Sequence, residues 1–477
     1  MRETTGDSFA RRLIISLRTV SYEVVQHRYF IPACFVVAFM IRVGWVCLVD
    51  AQPVSDFRWY YERGIDFAAG RGYSVGPTAY WPDNLPPASL IPGDQYPING
   101  RPTAYWPVGY PAFLGLLFIV FGPSLFAARI ANVFLYMGVL FLSYYIARKL
   151  FASELTGRMT LLILSFYPNH IAYTSMLASE ILLLFLLLLG ITLLIVLHHR
   201  LWLAIGAGVV FGLACLVKPQ VIFLPALFFA AYLVPNMRRK ALSKNLTALV
   251  IVYISLGITI LPWQIRNYKV FNDFVFISNN SGINSLVGNN PYATGAYVFN
   301  KKITAMLSDT RGEHERDVKA RTIAVEYIVN HPLEVIELLP KKFWHLYNAD
   351  REAISRNEEG LGPTQGNKRV FFLLKGVAQL YYMLIVIAFL VSIVVLPIQR
   401  RNRARIRPFP TVGLWIVLYF TGIYLLTFGY SRFHFPMMPW IVMYVGALAE
   451  TLIRPEHQVP GNGEQHSGEI QAAHDSG

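Results

Sequence analysis

Apolar runs of membrane-spanning length recur along the whole of this sequence. Seven runs reach the length of about 17 residues that a bilayer-spanning helix requires, at 29-49, 125-147, 180-197, 246-262, 371-397, 411-428 and 436-453. Three shorter runs, near 155-170, 201-217 and 220-235, complete a set of ten. Only 15% of the 477 residues are charged, whereas soluble chains carry about 25%. The sequence therefore predicts an all-α, polytopic membrane protein with about ten transmembrane helices.

Arg and Lys cluster in the short segments between these runs. The clusters are Arg148, Lys149 and Arg158; His198, His199 and Arg200; Arg238, Arg239, Lys240 and Lys244; and Arg400, Arg401, Arg403, Arg405 and Arg407. By the positive-inside rule they lie in the cytoplasm together with the N-terminus. The net charge of +14 is thus a topology signal, and since no single basic stripe exists we predict no nucleic-acid partner.

This topology divides the chain into five predicted parts. They are a cytoplasmic N-terminus at 1-28, a transmembrane module at 29-262 with an outer loop at 50-124, an extracytoplasmic cap at 263-370, C-terminal transmembrane helices at 371-453, and a disordered cytoplasmic tail at 454-477. The run at 108-121 is too short to span, so we expect an interfacial helix on the outer surface. Helix-like stretches at 313-330 and 332-347 predict a small, partly helical cap.

Unusual polar residues near the ends of the runs all fall on the outer side in this topology. They are Asp50, Asp56, Arg58, Tyr60, Tyr61 and Glu62 in the first loop, and Glu180, Lys218, Arg266, Asn267, Arg432 and His434 at later ends. Ionisable groups at membrane depth are costly and usually line a cavity or pair with one another. We therefore predict one polar site beneath the outer loops.

A plainer interpretation is that such residues anchor the chain at the interface. We favour it for Arg63, Arg71, Lys269, Lys341 and Lys342. Within the apolar runs, Arg42 and Arg129 are expected to pair with acids of the bundle, and the Gly288 to Pro291 turn is expected to be structural. For Asp56, position alone leaves both interpretations open.

One or two carboxylates and several fixed cations beside a bilayer are what sugar transfer from a lipid-linked phosphate requires. A glycosidase needs two carboxylates because its leaving alkoxide must be protonated, whereas a phosphate leaves without that help. One carboxylate then suffices as general base for the acceptor hydroxyl. Arg, Lys and His neutralise the charge on the departing phosphate, and a polyprenyl tail needs an apolar groove nearby.

Two other classes of protein compete with this interpretation. Intramembrane charges also mark the substrate pathway of a transporter or flippase of a lipid-linked or anionic substrate. The repeated halves and broken midplane helices that are typical of transporters are not found in the sequence. A membrane-embedded assembly factor is a third class, and it would give Asp56 no functional role.

Several motifs occur in the order that a known family uses. They are SDFRWYYERGIDFAAGRGYS, YWPVGYPAFLGLLFIVFGPSLFAARIAN, SMLASEILLLFLLLL, GLACLVKPQ, LPWQIRNYKVF followed by SNNSGINSLVGNNPYATG, and SRFHFPMMP. Over almost its whole length the chain resembles the polytopic GT-C glycosyltransferases, in particular the protein O-mannosyltransferase and lipid A aminoarabinose transferase group. The resemblance implies the GT-C fold with interfacial helices in the first outer loop.

The resemblance also implies an activity, a location and partners. An inverting transferase would move a sugar, hexose or pentose, from a polyprenyl-phosphate donor to a hydroxyl of a glycan, lipid or protein acceptor. The reaction would take place at the cytoplasmic (inner) membrane, on its periplasmic or exterior face, among membrane lipids. No organic cofactor is implied.

The family pattern assigns roles to the polar residues of this chain. Asp56 falls at the catalytic position and is the predicted general base. The donor and phosphate contacts are predicted to be Arg58, Tyr60, Lys218, Arg266, Arg432 and His434, with Glu62, Glu180, Tyr61 and Asn267 in support. Phe57 departs from the pattern, since many members carry an acidic pair there. A lone Asp binds a divalent cation poorly without help from Asp50, Glu62 or Glu180, so we predict no obligatory metal.

Overall fold

The computed structural model describes residue 16 and residues 18-75, 101-197, 200-233, 242-401 and 410-454. Within these ranges the fold is almost entirely helical, with one short antiparallel pair of strands, β1 (Ser74–Val75) and β2 (Arg101–Pro102). The predicted all-α class is confirmed. Most of the predicted N-terminal part, the basic residues at 238-240 and the tail beyond 454 lie outside the described residues.

The apolar runs form the helices of the membrane domain. They are α1 (Phe30–Leu48), α4 (Leu125–Phe151), α5 (Glu154–Ser165), α7 (Ser179–Ile195), α8 (Leu201–Val217), α10 (Leu242–Phe271), α16 (Lys368–Arg401), α17 (Val412–Leu426) and α18 (Met438–Ile453). The run near 220-235 forms a 3-10 turn (Pro219–Phe223), α9 (Leu224–Phe228) and a π turn (Phe229–Leu233). A 3-10 helix (Ser431–Met437) leads directly into α18.

By length and composition, five of the described helical segments can cross a bilayer unaided. They are Phe30–Leu48, Leu125–Phe151, Ser243–Phe271, Lys368–Gln399 and Ser431–Ile453. Four of the five shorter apolar helices follow predicted runs, and the fifth is the predicted interfacial helix. The run near 155-170 is shorter than predicted, because α5 ends at Ser165 and α6 (Pro168–Tyr173) begins after a break. The chain is a multi-pass membrane protein.

Small residues let α8 pack tightly on α10. Gly208 and Gly212 are four residues apart on one face of α8, and a Cβ atom at Gly208 would lie 2.4 Å from the carbonyl oxygen of Val252. At Gly212 it would lie 2.6 Å from Cβ of Thr259. Helices in membranes associate through such small-residue faces because apolar burial gives little driving force there. This packing fixes the end of α8, where Lys218 lies.

The first outer loop contains a pair of packed helices, α2 (Asp56–Ala68) and α3 (Gly109–Phe121). One face of α3 is buried against α2 through Leu114 and Phe118. The other face, with Leu116, Ile119, Val120 and Phe121, is exposed. A short helix with one packed and one open apolar face is what the interfacial prediction requires.

The cap consists of α11 (Ser281–Gly288), α12 (Lys301–Ala305), α13 (Glu313–Asn330), α14 (Pro332–Tyr347) and α15 (Glu352–Gln365). It is largely helical and has its own apolar cluster, which includes Ile283, Leu286 and Leu307. Asp317 of α13 accepts hydrogen bonds from the backbone N–H groups of Gly282 and Ile283. Its carboxylate thereby satisfies donors at the start of α11, which a helix leaves unpaired.

Three predictions about single cations are wrong. Arg63 is only 2% exposed and pairs with Asp66, and Lys342 is fully buried and donates to Oδ1 of Asn289 and the carbonyl of Leu425. Neither is an interfacial anchor. Arg42 has no acidic partner among the described residues; its two terminal guanidinium nitrogens donate instead to backbone carbonyls at 38, 164 and 165. Arg129, by contrast, pairs with Asp50 at 2.7 Å as predicted.

The buried Lys342 predicts that stability rises with pH. Burial lowers the pKa of its ammonium group from 10.5 to about 8. The unfolded chain therefore holds more protons than the folded chain between these values, and the free energy of unfolding increases as the pH rises through them. The full shift corresponds to roughly 3 kcal/mol. Thermal unfolding in detergent from pH 7 to 10.5 measures this rise, which Lys342→Met is expected to abolish.

The neighbouring Lys341 provides the matched control, since it is exposed on the same helix. Lys341→Met should keep the pH dependence of the unmodified chain. If Lys342→Met kept it as well, the rise would have to come from other groups.

Candidate active site

Asp56 is the first residue of α2 and lies where the chain turns sharply. The preceding residue, Ser55, has a positive φ of 53°, a backbone conformation that costs energy for any residue with a Cβ atom. The turn reverses the chain after the extended stretch 51-54 and presents the Asp56 carboxylate at the helix N-terminus. That end of a helix favours negative charge.

Arg432 joins the two acids of the site. Its Nη1 donates to Oδ2 of Asp56 at 2.5 Å, and its Nε donates to Oε1 of Glu180 at 2.6 Å. Lys218 donates from Nζ to the same Oε1 of Glu180 at 2.8 Å. These four residues form what we call the Arg432 cluster, and its two acids and two cations balance in charge. Four of the predicted site residues, from four separate stretches of the sequence, are thus brought together.

The local fold explains how Glu180 and Lys218 reach this position. Glu180 is the second residue of α7 and is fully buried, so the N-terminal end of that helix faces the cluster. Lys218 ends α8 in an extended conformation, with φ −148° and ψ 112°. Pro219 follows, and a residue before proline avoids the helical region. The break turns the Lys218 side chain away from the helix and toward Glu180.

A cavity of about 450 Å³ opens above the cluster, which is within the size range of small-molecule sites, about 300 to 1,000 Å³. Asp56, Lys218 and Arg432 line it. Aromatic side chains form much of the wall: Tyr60, Tyr105, Trp106, Tyr297, Tyr424, Phe428, Tyr430 and Phe433. Amides and hydroxyls of the cap also line it: Ser278, Asn280, Ser281, Asn284 and Ser285.

Tyr60 lines the cavity one turn after Asp56. Burial, and then the nearby charge of Asp56, raise the pKa of its phenol well above 10. The phenol therefore stays protonated and is able to donate a hydrogen bond. Its ring packs edge-on against Trp106 and Tyr110, which fixes its position.

Six other predicted site residues do not line the cavity. On α2, Arg58 is exposed and pairs with Glu62, while Tyr61 donates to the carbonyl of Pro123. Arg266 donates to the carbonyls of Tyr73 and Thr103, so it ties α10 to the first loop.

Asn267 and His434 are buried inside the protein instead. Asn267 donates to the carbonyls of Val275 and Ile277. His434 is 1% exposed, with Nδ1 2.8 Å from the carbonyl oxygen of Leu346 and Nε2 3.2 Å from Oδ1 of Asp350. For His434, as for Arg58 and Arg266, direct contact with a donor in the cavity is at odds with these positions.

Several cavity residues were missed from the sequence. Gln220 donates to the hydroxyl of Tyr424, and both line the cavity. Arg356 of α15 also lines it, held by Glu352 and Glu359. Gln220 lies in the GLACLVKPQ motif, two residues after Lys218, and this proximity could have identified it as a site residue. Arg356 belongs to a polar helix, where one more cation does not stand out.

The acids proposed to help Asp56 bind a metal are each paired with a cation. Asp50 pairs with Arg129, Glu62 pairs with Arg58, and Glu180 is occupied by Arg432 and Lys218. In the part of the chain that the structure describes, no three His, Cys, Asp or Glu side chains come close enough to hold a metal ion. Paired in this way, these residues do not fit a divalent cation, and the absence of an obligatory metal stays a prediction.

Comparison with protein families finds a match to part of this chain. Residues 106–263 match the family model of dolichyl-phosphate-mannose-protein mannosyltransferases. The resemblance to the polytopic GT-C glycosyltransferases is confirmed over this part of the chain, which includes Trp106, Glu180 and Lys218. The comparison with curated protein sequences finds no match.

Two groups of solved structures are similar to this chain. The oligosaccharyltransferase of Archaeoglobus fulgidus, solved with Zn and sulfate, shares 14% identity at a TM-score of 0.48, over 88% of this chain and 49% of that chain. The same archaeal enzyme, AglB, in complex with an inhibitory peptide and a dolichol-phosphate, shares 12% at 0.48, over 89% of this chain and 50% of that one. ArnT of Cupriavidus metallidurans, bound to undecaprenyl phosphate, shares 15% at 0.39, over 88% of this chain and 76% of that one.

The chain spans about half the length of the archaeal oligosaccharyltransferase chains. Similarity at this level of identity concerns the fold, and the function has to be argued from the site.

Proposed function

We propose that this protein is a membrane glycosyltransferase that moves a sugar from a polyprenyl-phosphate donor to an acceptor hydroxyl on the outer face of the cytoplasmic membrane. One observation carries the proposal. Arg432 is held between Asp56 and Glu180, beside Lys218, in the wall of a cavity large enough for a sugar phosphate. The match of residues 106–263 to a family of lipid-phosphate-dependent mannosyltransferases supports it.

The donor phosphate is placed at the two cations. Lys218 and Arg432 both line the cavity, and an ammonium and a guanidinium are the usual partners of phosphate oxygens. Glu180, fully buried behind them, keeps both cations in place. The cluster is neutral without a donor. The negative charge of an incoming phosphate therefore competes with Asp56 and Glu180 for the guanidinium of Arg432.

This competition gives the acceptor base a switch. In the free protein the Nη1 of Arg432 is bonded to Oδ2 of Asp56, so this oxygen is occupied and is not available to the acceptor hydroxyl. A phosphate that takes over Nη1 releases Asp56 toward the acceptor. Binding is then ordered, with the donor first, and the base is uncovered only when a sugar is present to be transferred.

The transfer step is a single displacement. The acceptor hydroxyl gives its proton to Asp56 as its oxygen bonds to the anomeric carbon, while the bond from that carbon to the phosphate oxygen breaks. The electron pair of the breaking bond leaves with the phosphate, and Lys218 and Arg432 stabilise the added negative charge. Attack from the side opposite the phosphate inverts the anomeric configuration. Asn280 and Asn284 of the cap and the aromatic wall are positioned to hold sugar hydroxyls and ring faces.

A second cavity is suited to the lipid part of the donor. It has a volume of about 590 Å³ and is lined by apolar side chains of α3, α4 and α7, among them Phe113, Phe126 and Phe185. Helix α3 starts two residues after Pro107, which lines the polar cavity. An apolar groove next to the polar site meets the requirement of a polyprenyl chain, and we assign part of that chain to it.

A reconstituted assay tests the proposal. Protein in liposomes is supplied with undecaprenyl-phosphate hexoses and pentoses and with glycan, lipid and peptide acceptors, and the release of undecaprenyl phosphate is measured together with the labelled product. A transferase consumes the donor. A flippase would move the labelled donor between leaflets without consuming it, and that result would replace the proposal by the transporter class.

Lys218→Met predicts a weaker interaction with the donor. Loss of one charged hydrogen bond costs roughly 1 to 3 kcal/mol, so we expect the KM for the donor to rise about ten- to hundredfold. The protein should stay folded, because Glu180 keeps its contact with Arg432. Initial rates at varied donor concentration measure the change.

Arg58→Gln is the matched control for Lys218. Arg58 belongs to the same set of predicted phosphate contacts, but it lies outside the cavity and is paired with Glu62. Its KM for the donor should stay within about twofold of the unmodified chain, as is usual for surface substitutions. Equal effects of the two substitutions would mean that the phosphate is not bound at Lys218.

A further inference from the structure

The two ring nitrogens of His434 lie near two different oxygen atoms. Nδ1 is hydrogen-bonded to the carbonyl oxygen of Leu346 at 2.8 Å, and Nε2 lies 3.2 Å from Oδ1 of Asp350 without hydrogen-bond geometry. A carbonyl oxygen only accepts, so Nδ1 must carry a hydrogen. Asp350 accepts from the hydroxyl of Tyr167 and from Nδ2 of Asn169, which is the pattern of an ionised carboxylate.

This geometry makes His434 and Asp350 a buried pair. The ring is 1% exposed, and the carboxyl group of Asp350 is 4% exposed. The ring lies nearly parallel to Tyr347 and Tyr382, with interplanar angles of 9° and 11°. The pair is thus enclosed by aromatic rings and by the polar partners of Asp350.

The pair is placed to fix the 3-10 helix that carries Arg432. That helix has no side-chain cap, and just before it Gly429 donates a backbone hydrogen bond to Gly295 of the cap. Positions two apart on a 3-10 helix point about 120° away from each other. Arg432 therefore points to the cavity while His434 points into the core. Holding His434 fixes the rotation and height of the helix, and with them the guanidinium.

We infer that the buried His434–Asp350 pair is a positioning element that sets the Arg432 guanidinium for the donor phosphate. Neither residue touches the cavity, so both act through Arg432. The inference rests on the proposed function, because the expected consequence of the positioning is a higher affinity for the phosphate of the lipid donor. It gives His434 a role different from the direct donor contact that its sequence position predicted.

A double-mutant cycle tests this role. The affinity for undecaprenyl phosphate is measured in detergent for the full chain, His434→Gln and Asp350→Asn, and again for each in an Arg432→Lys background. Lys keeps the charge but loses the guanidinium fork. We expect each single substitution to weaken binding about tenfold, the cost of one misplaced charged hydrogen bond, and to have less than about a twofold effect once Arg432 is Lys.

Tyr136→Phe is the control for a general disturbance of this core. It removes a buried hydrogen bond to His170, and neither residue belongs to the 3-10 helix. Its affinity should equal that of the unmodified chain. The inference would be overturned if His434→Gln or Asp350→Asn lowered the affinity equally in proteins with Arg432 and with Lys at that position, because a merely structural residue acts independently of Arg432. It would also be overturned if Tyr136→Phe lowered the affinity as much as His434→Gln does.

Failure of the proposed function gives a different result. If the unmodified chain binds no undecaprenyl phosphate and transfers no sugar, the proposed function is wrong. Thermal unfolding then tests whether His434 and Arg432 are energetically coupled. Positioning predicts that the drop in Tm of the His434→Gln, Arg432→Lys double variant is smaller than the sum of the two single drops. Additive drops would overturn the inference without any ligand.

Discussion

Asp56→Asn is expected to abolish sugar transfer while leaving the protein folded and able to bind its donor. Asn has the shape of Asp but cannot take the proton of the acceptor hydroxyl. Removal of a general base slows a reaction by about 10²- to 10⁴-fold. Arg432 keeps its contacts with Glu180, so the cations of the cluster stay in place. Affinity for undecaprenyl phosphate should be equal to or higher than in the unmodified chain, because Asp56 no longer competes for Nη1.

Glu62→Gln is the control for this substitution. Glu62 lies on the same helix, one and a half turns later, and pairs with Arg58 on the side away from the cavity. Its turnover number should stay within about twofold of the unmodified value, as for most surface substitutions. Unchanged turnover in a folded Asp56→Asn protein would remove Asp56 from the role of base.

The helices could be predicted because the required information is local. An apolar run of sufficient length has few alternatives to a helix in a bilayer, where every backbone group must be satisfied within its own segment. Ten such runs are helical in the described structure. The run at 155-170 was overestimated because the residue before Pro168 is extended and interrupts the helix, and mean hydropathy does not report such a break.

The four residues of the Arg432 cluster could be predicted for a related reason. All four are ionisable groups at the ends of apolar runs: Asp56, Glu180, Lys218 and Arg432. Burying a charge there costs free energy unless it is paired with an opposite charge. The topology placed them on one side, and mutual pairing followed from charge. Their neutral partners were not predicted, because Asn280, Asn284 and Gln220 carry no charge that stands out against a polar loop.

His434 and Arg266 show what the sequence could not resolve. His434 is only two residues from Arg432, but the intervening 3-10 helix sends the two side chains in different directions. Arg266 follows an apolar run just as Lys218 does, but backbone carbonyls of the first loop occupy its guanidinium. Which polar groups at the ends of the runs meet in one cavity depends on the rotation of each helix, and that rotation is set by packing.

Arg432→Gln is expected to affect both the stability of the protein and its use of the donor. The substitution removes the cation that is bonded to Asp56 and leaves Glu180 with Lys218 alone. Removing one partner from a buried ion pair costs about 3 to 5 kcal/mol because the remaining charge is left uncompensated. Donor binding should also weaken by at least about tenfold, the value of one charged hydrogen bond. Thermal unfolding and the affinity for undecaprenyl phosphate measure the two effects separately.

Adding Asp56→Asn to Arg432→Gln separates the electrostatic cost from simple loss of packing. The second substitution removes one of the uncompensated carboxylates, so it should recover part of the stability without restoring transfer. Arg63→Gln breaks another buried Arg–Asp pair, which lies on α2 outside the cavity, and it should lower Tm but leave donor affinity unchanged. If Arg63→Gln lowered the affinity for the donor as much as Arg432→Gln does, the loss of affinity would reflect general destabilisation of the protein. Arg432 would then not be the phosphate ligand. If the double variant were no more stable than Arg432→Gln, the two acids would not depend on Arg432 for their compensation.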